Sequence, residues 1–435
     1  ERKRSMFFPS TAALSLPACA GAVLLSLGGA ACAQTAPHWK LSGFGTVGAV
    51  HSDERQADFV ASVMKGDGAG RSAGWSRHVD SRLGGQLDFR FDARWSAVLQ
   101  VVSEQRLDYS YQPRVEWANL KYQVTPELAL RFGRIALPMF IAADYRKVGY
   151  AYPWIRTPIE VYGVLPLGSS DGVDLSWHWN GDAMRSTTQL LYGRTDMPLF
   201  DGARLRGHGI AGFSHTVERG ALSARASLIT ARLSVSLFPE LFSAIGSFGP
   251  EGRDIARRLK VEDKRASAMS IGLNYDPGRW FAIGEAGYSK VDGYLGGTRS
   301  AYLSSGWRQN NFTPYLGYAR VRGRLPDGPT RLELGGLPPA YAAAGAGLNT
   351  ALAAMMRAVP SQSTISAGLR WDVASNLALK LQHERVTTRS SSRGMFINSV
   401  PDYQSGRTAQ VTSAALDFVF GSYEPVTEIR VPVKL

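Results

Sequence analysis

Seven histidines, His38, His51, His78, His178, His208, His215 and His383, are the side chains best suited to general acid–base work. A hydrolase would need a nucleophile within reach of one of them and a third group to orient it. None sits in a GxSxG or HExxH context. Ser214 and His215 are adjacent, and neighbouring residues of a strand point to opposite faces, so they cannot work as a pair there. Gly43-Phe-Gly-Thr-Val-Gly48 has the form GxGxxG, with Asp67 about twenty residues further on. A dinucleotide fingerprint needs a buried apolar strand before it and a helix starting inside it, whereas His38, Lys40 and Ser42 precede this one. The residues therefore favour no enzyme, with no catalytic, cofactor-binding or metal-ligating residue assigned.

A different chemistry is carried by fixed charges on one stiff segment. Within residues 135–172, entered at Arg134, the stretch up to Tyr162 holds three prolines and five aromatic residues from Tyr145 to Tyr162. A solvated loop does not need that composition, but one packed inside a larger structure does. Arg134, Arg146, Lys147 and Arg156 outnumber Asp144 and Glu160 there by four to two. Placed at a narrow passage, such charges set the field felt by ions. The competing reading is a surface loop packed between subunits.

The elements that would position this segment follow from periodicity. Over Arg82–Asp92, Leu83, Gly85, Leu87, Phe89 and Phe91 share one face, and Gly84, Gln86, Asp88, Arg90 and Asp92 the other. Ile365, Ala367, Leu369 and Trp371 alternate with Thr364, Ser366, Gly368 and Arg370 in the same way. Leu377, Leu379 and Leu381 alternate with Ala378, Lys380 and Gln382, and Glu384 continues the polar face. A helix cannot sort residues like this, because its period is 3.6 and not 2. Sixteen strand-like segments begin near 39, 82, 95, 114, 128, 173, 184, 205, 221, 266, 279, 299, 312, 363, 377 and 406.

The links between them alternate, seven short and turn-like against eight longer ones. The longer links fall near 52–81, 106–113, 135–172, 193–204, 236–265, 292–298, 323–362 and 387–405. A sandwich has no reason to sort its loops by parity. A transmembrane barrel does, with tight periplasmic turns at one end and extracellular loops at the other. Trp95, Tyr122, Trp179, Tyr275, Trp280, Trp307, Phe312 and Trp371 lie near the short turns, where an aromatic girdle would sit. Leu334–Met356 has no charge for 23 residues, but its prolines, glycines and alanines fit a loop with a short helix better than a membrane span.

Composition agrees. The chain has 435 residues, 44% hydrophobic and 20% charged, with 46 glycines and 22 prolines. Mean hydropathy is −0.13, too polar for a bundle of membrane helices but compatible with a barrel. The formal net charge is +13. Arg2, Lys3 and Arg4 precede an uncharged stretch from Ser5 to Pro37, with an apolar core at Ala20–Leu27 and the small-x-small site Ala31-Cys32-Ala33. The expectation is a cleaved signal peptide over residues 1–33. Its removal takes both cysteines, Cys19 and Cys32, and lowers the net charge to +11.

Four places carry a family resemblance: Trp39 to Gly48, Ser81 to Phe89, Asn311 to Arg320, and Leu416-Asp-Phe-Val-Phe420. Together they span nearly the whole chain after the export signal, which resembles the Gram-negative outer-membrane general porins. The resemblance implies an all-β fold, a transmembrane antiparallel β-barrel of about 16 strands (18 possible), assembled as a homotrimer. It further implies that the third long loop folds into the lumen. A terminal aromatic read by the barrel-assembly machinery is also implied, for which Leu416, Phe418 and Phe420 qualify. The barrel would then occupy 34–420 and leave 421–435 as a C-terminal tail of unknown role, which departs from the family pattern.

The resulting expectation is a passive diffusion channel for small hydrophilic solutes in the outer membrane, weakly anion-preferring and without cofactor. The constriction would be Arg134, Asp144, Arg146, Lys147, Arg156 and Glu160. Lumen-facing candidates on strands are Asp88, Arg90, Arg131, Arg225, Arg370, Lys380 and Glu384. Expected partners are outer-membrane lipid and lipopolysaccharide, the latter near Arg253–Arg265, with no nucleic acid. The alternatives are a substrate-specific channel for an organic acid, phosphate or hydrophobic compound, or a barrel enzyme or adhesin.

Overall fold

Sixteen long strands form the frame of the protein in the computed structural model, which describes residues 38–164, 167–389 and 392–421. The first eight are β1 (His38–Ser52), β2 (Arg82–Arg90), β3 (Trp95–Glu104), β4 (Arg114–Gln123), β5 (Leu128–Ala136), β6 (Ser169–Asn180), β7 (Arg185–Pro198) and β8 (Arg204–Arg219). The second eight are β9 (Leu222–Val235), β10 (Lys264–Tyr275), β11 (Trp280–Val291), β12 (Gly297–Trp307), β13 (Phe312–Arg324), β14 (Ser361–Ala374), β15 (Leu377–Thr388) and β16 (Thr408–Phe420). Each begins within four residues of its expected position. The expected signal peptide and all of the tail beyond Gly421 lie outside the described residues.

Every strand pairs antiparallel with its neighbours in sequence, and β16 pairs with β1, which closes the sheet into a barrel. Gly43 lies opposite Phe420 and Gly45 opposite Phe418 at this seam. A Cβ on Gly45 would stand 2.3 Å from the Phe418 ring. The first two glycines of the GxGxxG stretch thus make room for the last strand's aromatic rings, and no helix starts in the stretch. Closure needs sixteen strands, so the eighteen-strand alternative does not hold.

The outer face is apolar and the inner face polar. Leu83, Leu99, Phe132, Ile271, Leu303 and Leu381 are exposed outward, while Gln86, Gln100, Asp174, Glu285, Lys380 and Asp417 are buried inward. This inverts the arrangement of a soluble protein, where a continuous apolar belt of this kind would be shielded. Aromatic rings gather at the short-turn end, with Trp95 on Tyr122 at 4.6 Å, Tyr275 on Trp280 at 5.2 Å and Phe312 on Trp371 at 5.8 Å.

The long loops do not stand free. The first and eighth pack together through Phe59, Val79, Met395, Phe396 and Tyr403. The fifth carries α2 (Pro239–Gly246) and α3 (Gly249–Leu259), which pack on α4 (Pro339–Met356) of the seventh. The helix in the uncharged stretch is therefore 18 residues long, longer than expected, and starts at a proline, whose missing N–H costs nothing in a first turn. No described helix is long and apolar enough to cross a membrane. The fourth loop is a correction: expected over 193–204, it shrinks to five residues between β7 and β8, because those strands run on to Pro198 and from Arg204.

The third loop runs between β5 and β6 and carries α1 (Ile159–Tyr162). Leu137, Met139, Phe140, Tyr145, Tyr150, Tyr152, Trp154 and Tyr162 are all buried against inward-facing residues such as Ile210, Ile229, Phe281, Tyr302 and Tyr315. The largest hydrophobic cluster of the barrel is thus in its lumen, built around this loop.

Candidate functional site

The loop is tied to the wall by charged side chains projecting inward from the strands. Lys380 on β15 donates to the carbonyls of Gly149, Tyr152 and Trp154 at 2.7–2.8 Å, and pairs with Asp417 on β16 at 2.8 Å. Asp417 also accepts from Thr46 on β1 at 2.5 Å. Arg370 donates to the carbonyls of Tyr150 and Tyr152. Arg225 donates to the Phe140 carbonyl, with Asp144 4.0 Å away. Trp154 donates its indole N–H to Ser304 at 2.8 Å. The donors thereby satisfy carbonyls of a loop buried in the lumen.

Arg156 and Glu160 belong to this clamp. Arg156 donates to Asp80 at 2.6 and 2.9 Å, to Ser413 at 2.7 Å and to Glu384. Burial works against its charge, but Asp80 and Glu384 outweigh that and hold its pKa above the usual value. Glu160 accepts from Gln362 at 2.6 Å and from Thr364, and burial raises its pKa against those bonds. Both were expected among the ion-facing charges of a constriction. They are 3% and 1% exposed, so their main contacts hold the loop; Arg156 also borders the cavity that the loop leaves open, whereas Glu160 does not. Lys380, Glu384 and Arg225 are inward-facing but likewise buried against the loop.

What the loop leaves open is a cavity of about 600 Å³ on the side of β2–β5. Eight cations and five acids line it. Glu104, at the end of β3, lies opposite Arg82 of β2. It receives Lys147 from the third loop and has Lys65, from the first loop, 4.0 Å away. Arg146 faces Glu116 at 3.7 Å, and Arg106 faces Asp108 at 3.7 Å. Arg114 also lines the cavity, with no carboxylate partner among the described residues. Burial lowers the Lys65 pKa to about 8, partly offset by Glu104.

The remaining expected residues are placed as follows. Arg134 differs from the expectation: its ladder partners put it on the outward side of β5, with Phe132, where it binds Asp171 at 2.7 Å at the cavity rim. Arg131, three residues earlier, faces inward and binds Asp174 at 2.5–3.1 Å. Asp88 faces inward, accepting from Gln86 at 3.0 Å, and Arg90 follows it toward the short-turn end. Ser214 is buried inward while His215, on the other face, meets Thr188 at 2.9 Å. Sequence reasoning missed Lys65, Arg82, Glu104 and Glu116. Arg82 shares the polar parity of Gln86 and Asp88 and was legible, whereas Lys65 lies in a loop without periodicity.

No known family matches the chain by sequence pattern, and no curated protein matches it. Solved structures do. Salmonella typhi OmpF, in its complex with daunomycin, aligns with a TM-score of 0.52 at 10% identity, over 88% of this chain and 97% of that one. The anion-selective porin of Comamonas acidovorans gives 0.51 at 13% identity, over 88% and 100%. In-vitro folded OmpT of Vibrio cholerae gives 0.50 at 11% identity, over 89% and 98%. The chain therefore has the closed, sixteen-stranded antiparallel barrel fold of Gram-negative outer-membrane porins.

Proposed function

We propose that the protein is an outer-membrane diffusion channel for small hydrophilic solutes, with a weak preference for anions and no catalytic role. The observation that carries this reading is the combination of an exposed apolar outer face with a charged cavity beside the third loop. An apolar belt suits lipid, and a polar inner wall suits water and ions. Preference for anions follows from the eight cations against five acids at the cavity. It is weak because most of those cations stand beside a carboxylate and the pairs screen one another. The barrel residues from 34 to 420, a signal peptide over 1–33, a homotrimeric assembly and contact with lipopolysaccharide belong to the same proposal. So does recognition of Leu416, Phe418 and Phe420 by the assembly machinery.

Liposome swelling tests it. Vesicles carrying the folded protein should swell in isotonic solutions of a small neutral sugar and not of a large polysaccharide. Equal behaviour of vesicles with and without the protein contradicts the channel reading.

A further inference from the structure

The cationic side of the cavity is unevenly satisfied. Lys65 is only 5% exposed, yet its ammonium makes one hydrogen bond within the described residues, to the His78 carbonyl at 3.2 Å. An ammonium has three donors. Its ion-pair partner Glu104 stands 4.0 Å away, beyond hydrogen-bonding distance, and is already engaged by Lys147. Arg82, directly across the ladder from Glu104, donates its Nε to the Asp80 carbonyl and an Nη to the Arg146 carbonyl at 3.5 Å, and has no carboxylate hydrogen-bonded to it among the described residues. Three cations from three separate elements, the first loop, β2 and the third loop, thus converge on one carboxylate. A buried ammonium with open donors costs stability unless something completes its shell.

We propose that Lys65, Arg82 and Lys147 form a binding site for a small dianionic oxyanion, such as hydrogen phosphate or a short dicarboxylate, in the mouth of the channel. The inference rests on the channel reading for its purpose, but the site itself stands on the geometry of these residues. Asp80 also acts on Lys65 and Arg82 but is bound by Arg156, so the three cations against Glu104 leave two positive charges, which a dianion neutralises and a monoanion does not. Oxyanion oxygens fill the open donors of Lys65, and the cavity of about 600 Å³ has ample room for such an ion. Solute would then bind before crossing, so that flux saturates.

Equilibrium dialysis of radiolabelled inorganic phosphate against the detergent-folded protein tests the site without needing a current. Saturable binding is expected in the wild type. Lys65→Gln and Lys147→Gln should each weaken it by about tenfold or more, the loss for one charge-assisted hydrogen bond. Lys65→Arg should retain it, and Glu104→Gln, which removes the internal competitor, should tighten it. Succinate should displace the phosphate and acetate should not. Absence of saturable binding in the folded wild type overturns the site, as does equal displacement by acetate or unchanged affinity in both glutamine variants. Phosphate binding with no conductance in bilayers would leave the site standing and overturn the channel reading instead.

Discussion

Lys380 and Asp417, on neighbouring strands of the barrel wall, form a 2.8 Å ion pair that is wholly buried beneath the third loop. The same ammonium holds three carbonyls of that loop, so one side chain joins β15, β16 and the segment that narrows the lumen. Lys380→Met should release this part of the loop. It leaves Asp417 as an unpaired buried carboxylate, a cost of about 3–5 kcal/mol. The expected result is a lower temperature for the heat-modifiable gel shift, trypsin cleavage at Arg146 or Lys147, and noisier current. Adding Asp417→Asn should recover part of the loss, because the stranded charge is gone.

The seam between first and last strands makes a second prediction. Gly45→Leu puts side-chain atoms where the Phe418 ring lies, since even a Cβ would come within 2.3 Å. The folded, heat-modifiable fraction should fall sharply and recover with Phe418→Ala. An unaffected Gly45→Leu barrel would show that the seam is not packed as described.

Truncation after Phe420 is a third test, because β16 completes its pairing with β1 at that residue. A chain ending there should still give a heat-modifiable barrel. Its degradation in the periplasm would show that the tail carries part of the assembly information.

Arg146→Gln with Lys147→Gln removes two cations that face Glu116 and Glu104 at the cavity. Under a potassium chloride gradient the reversal potential should move toward potassium, and conductance should change. If both quantities stay at wild-type values, the cavity is not the ion pathway.

A pH dependence is expected from Lys65. Burial disfavours its charged form and brings the pKa to about 8, with Glu104 and Asp80 opposing that shift, and Arg82 and Lys147 adding to it. The ammonium is therefore charged below that pH and loses its proton above it. Anion preference should decline between about pH 7 and pH 9 in the wild type and stay flat over that window in Lys65→Arg, since arginine keeps its proton. An identical decline in both proteins would assign the titration elsewhere.

Much of the fold was legible because the alternation persists on both faces of each strand. Leu83 to Phe91 against Gly84 to Asp92 fixes a strand and its orientation without any tertiary information. The inward path of the third loop was signalled by its aromatic residues, which have no reason to be in water. The roles of the inward charges were not legible. Lys380, Arg225, Glu384 and Arg156 carry the same local pattern whether they face water or a loop, and the loop's route decides between the two. Arg131 and Arg134 cannot both face inward from one regular strand, because residues three apart on it point to opposite sides. Lys65 had no signal, because position in an aperiodic loop depends on how that loop packs.

The space beside the clamped third loop is proposed to conduct ions, chloride before potassium. Planar-bilayer recording of the purified, heat-modifiable protein under a potassium chloride gradient tests it most directly. The expected result is stable ohmic steps with a reversal potential displaced modestly to the chloride side. Folded protein that gives no steps, or a reversal potential on the potassium side, would contradict the account.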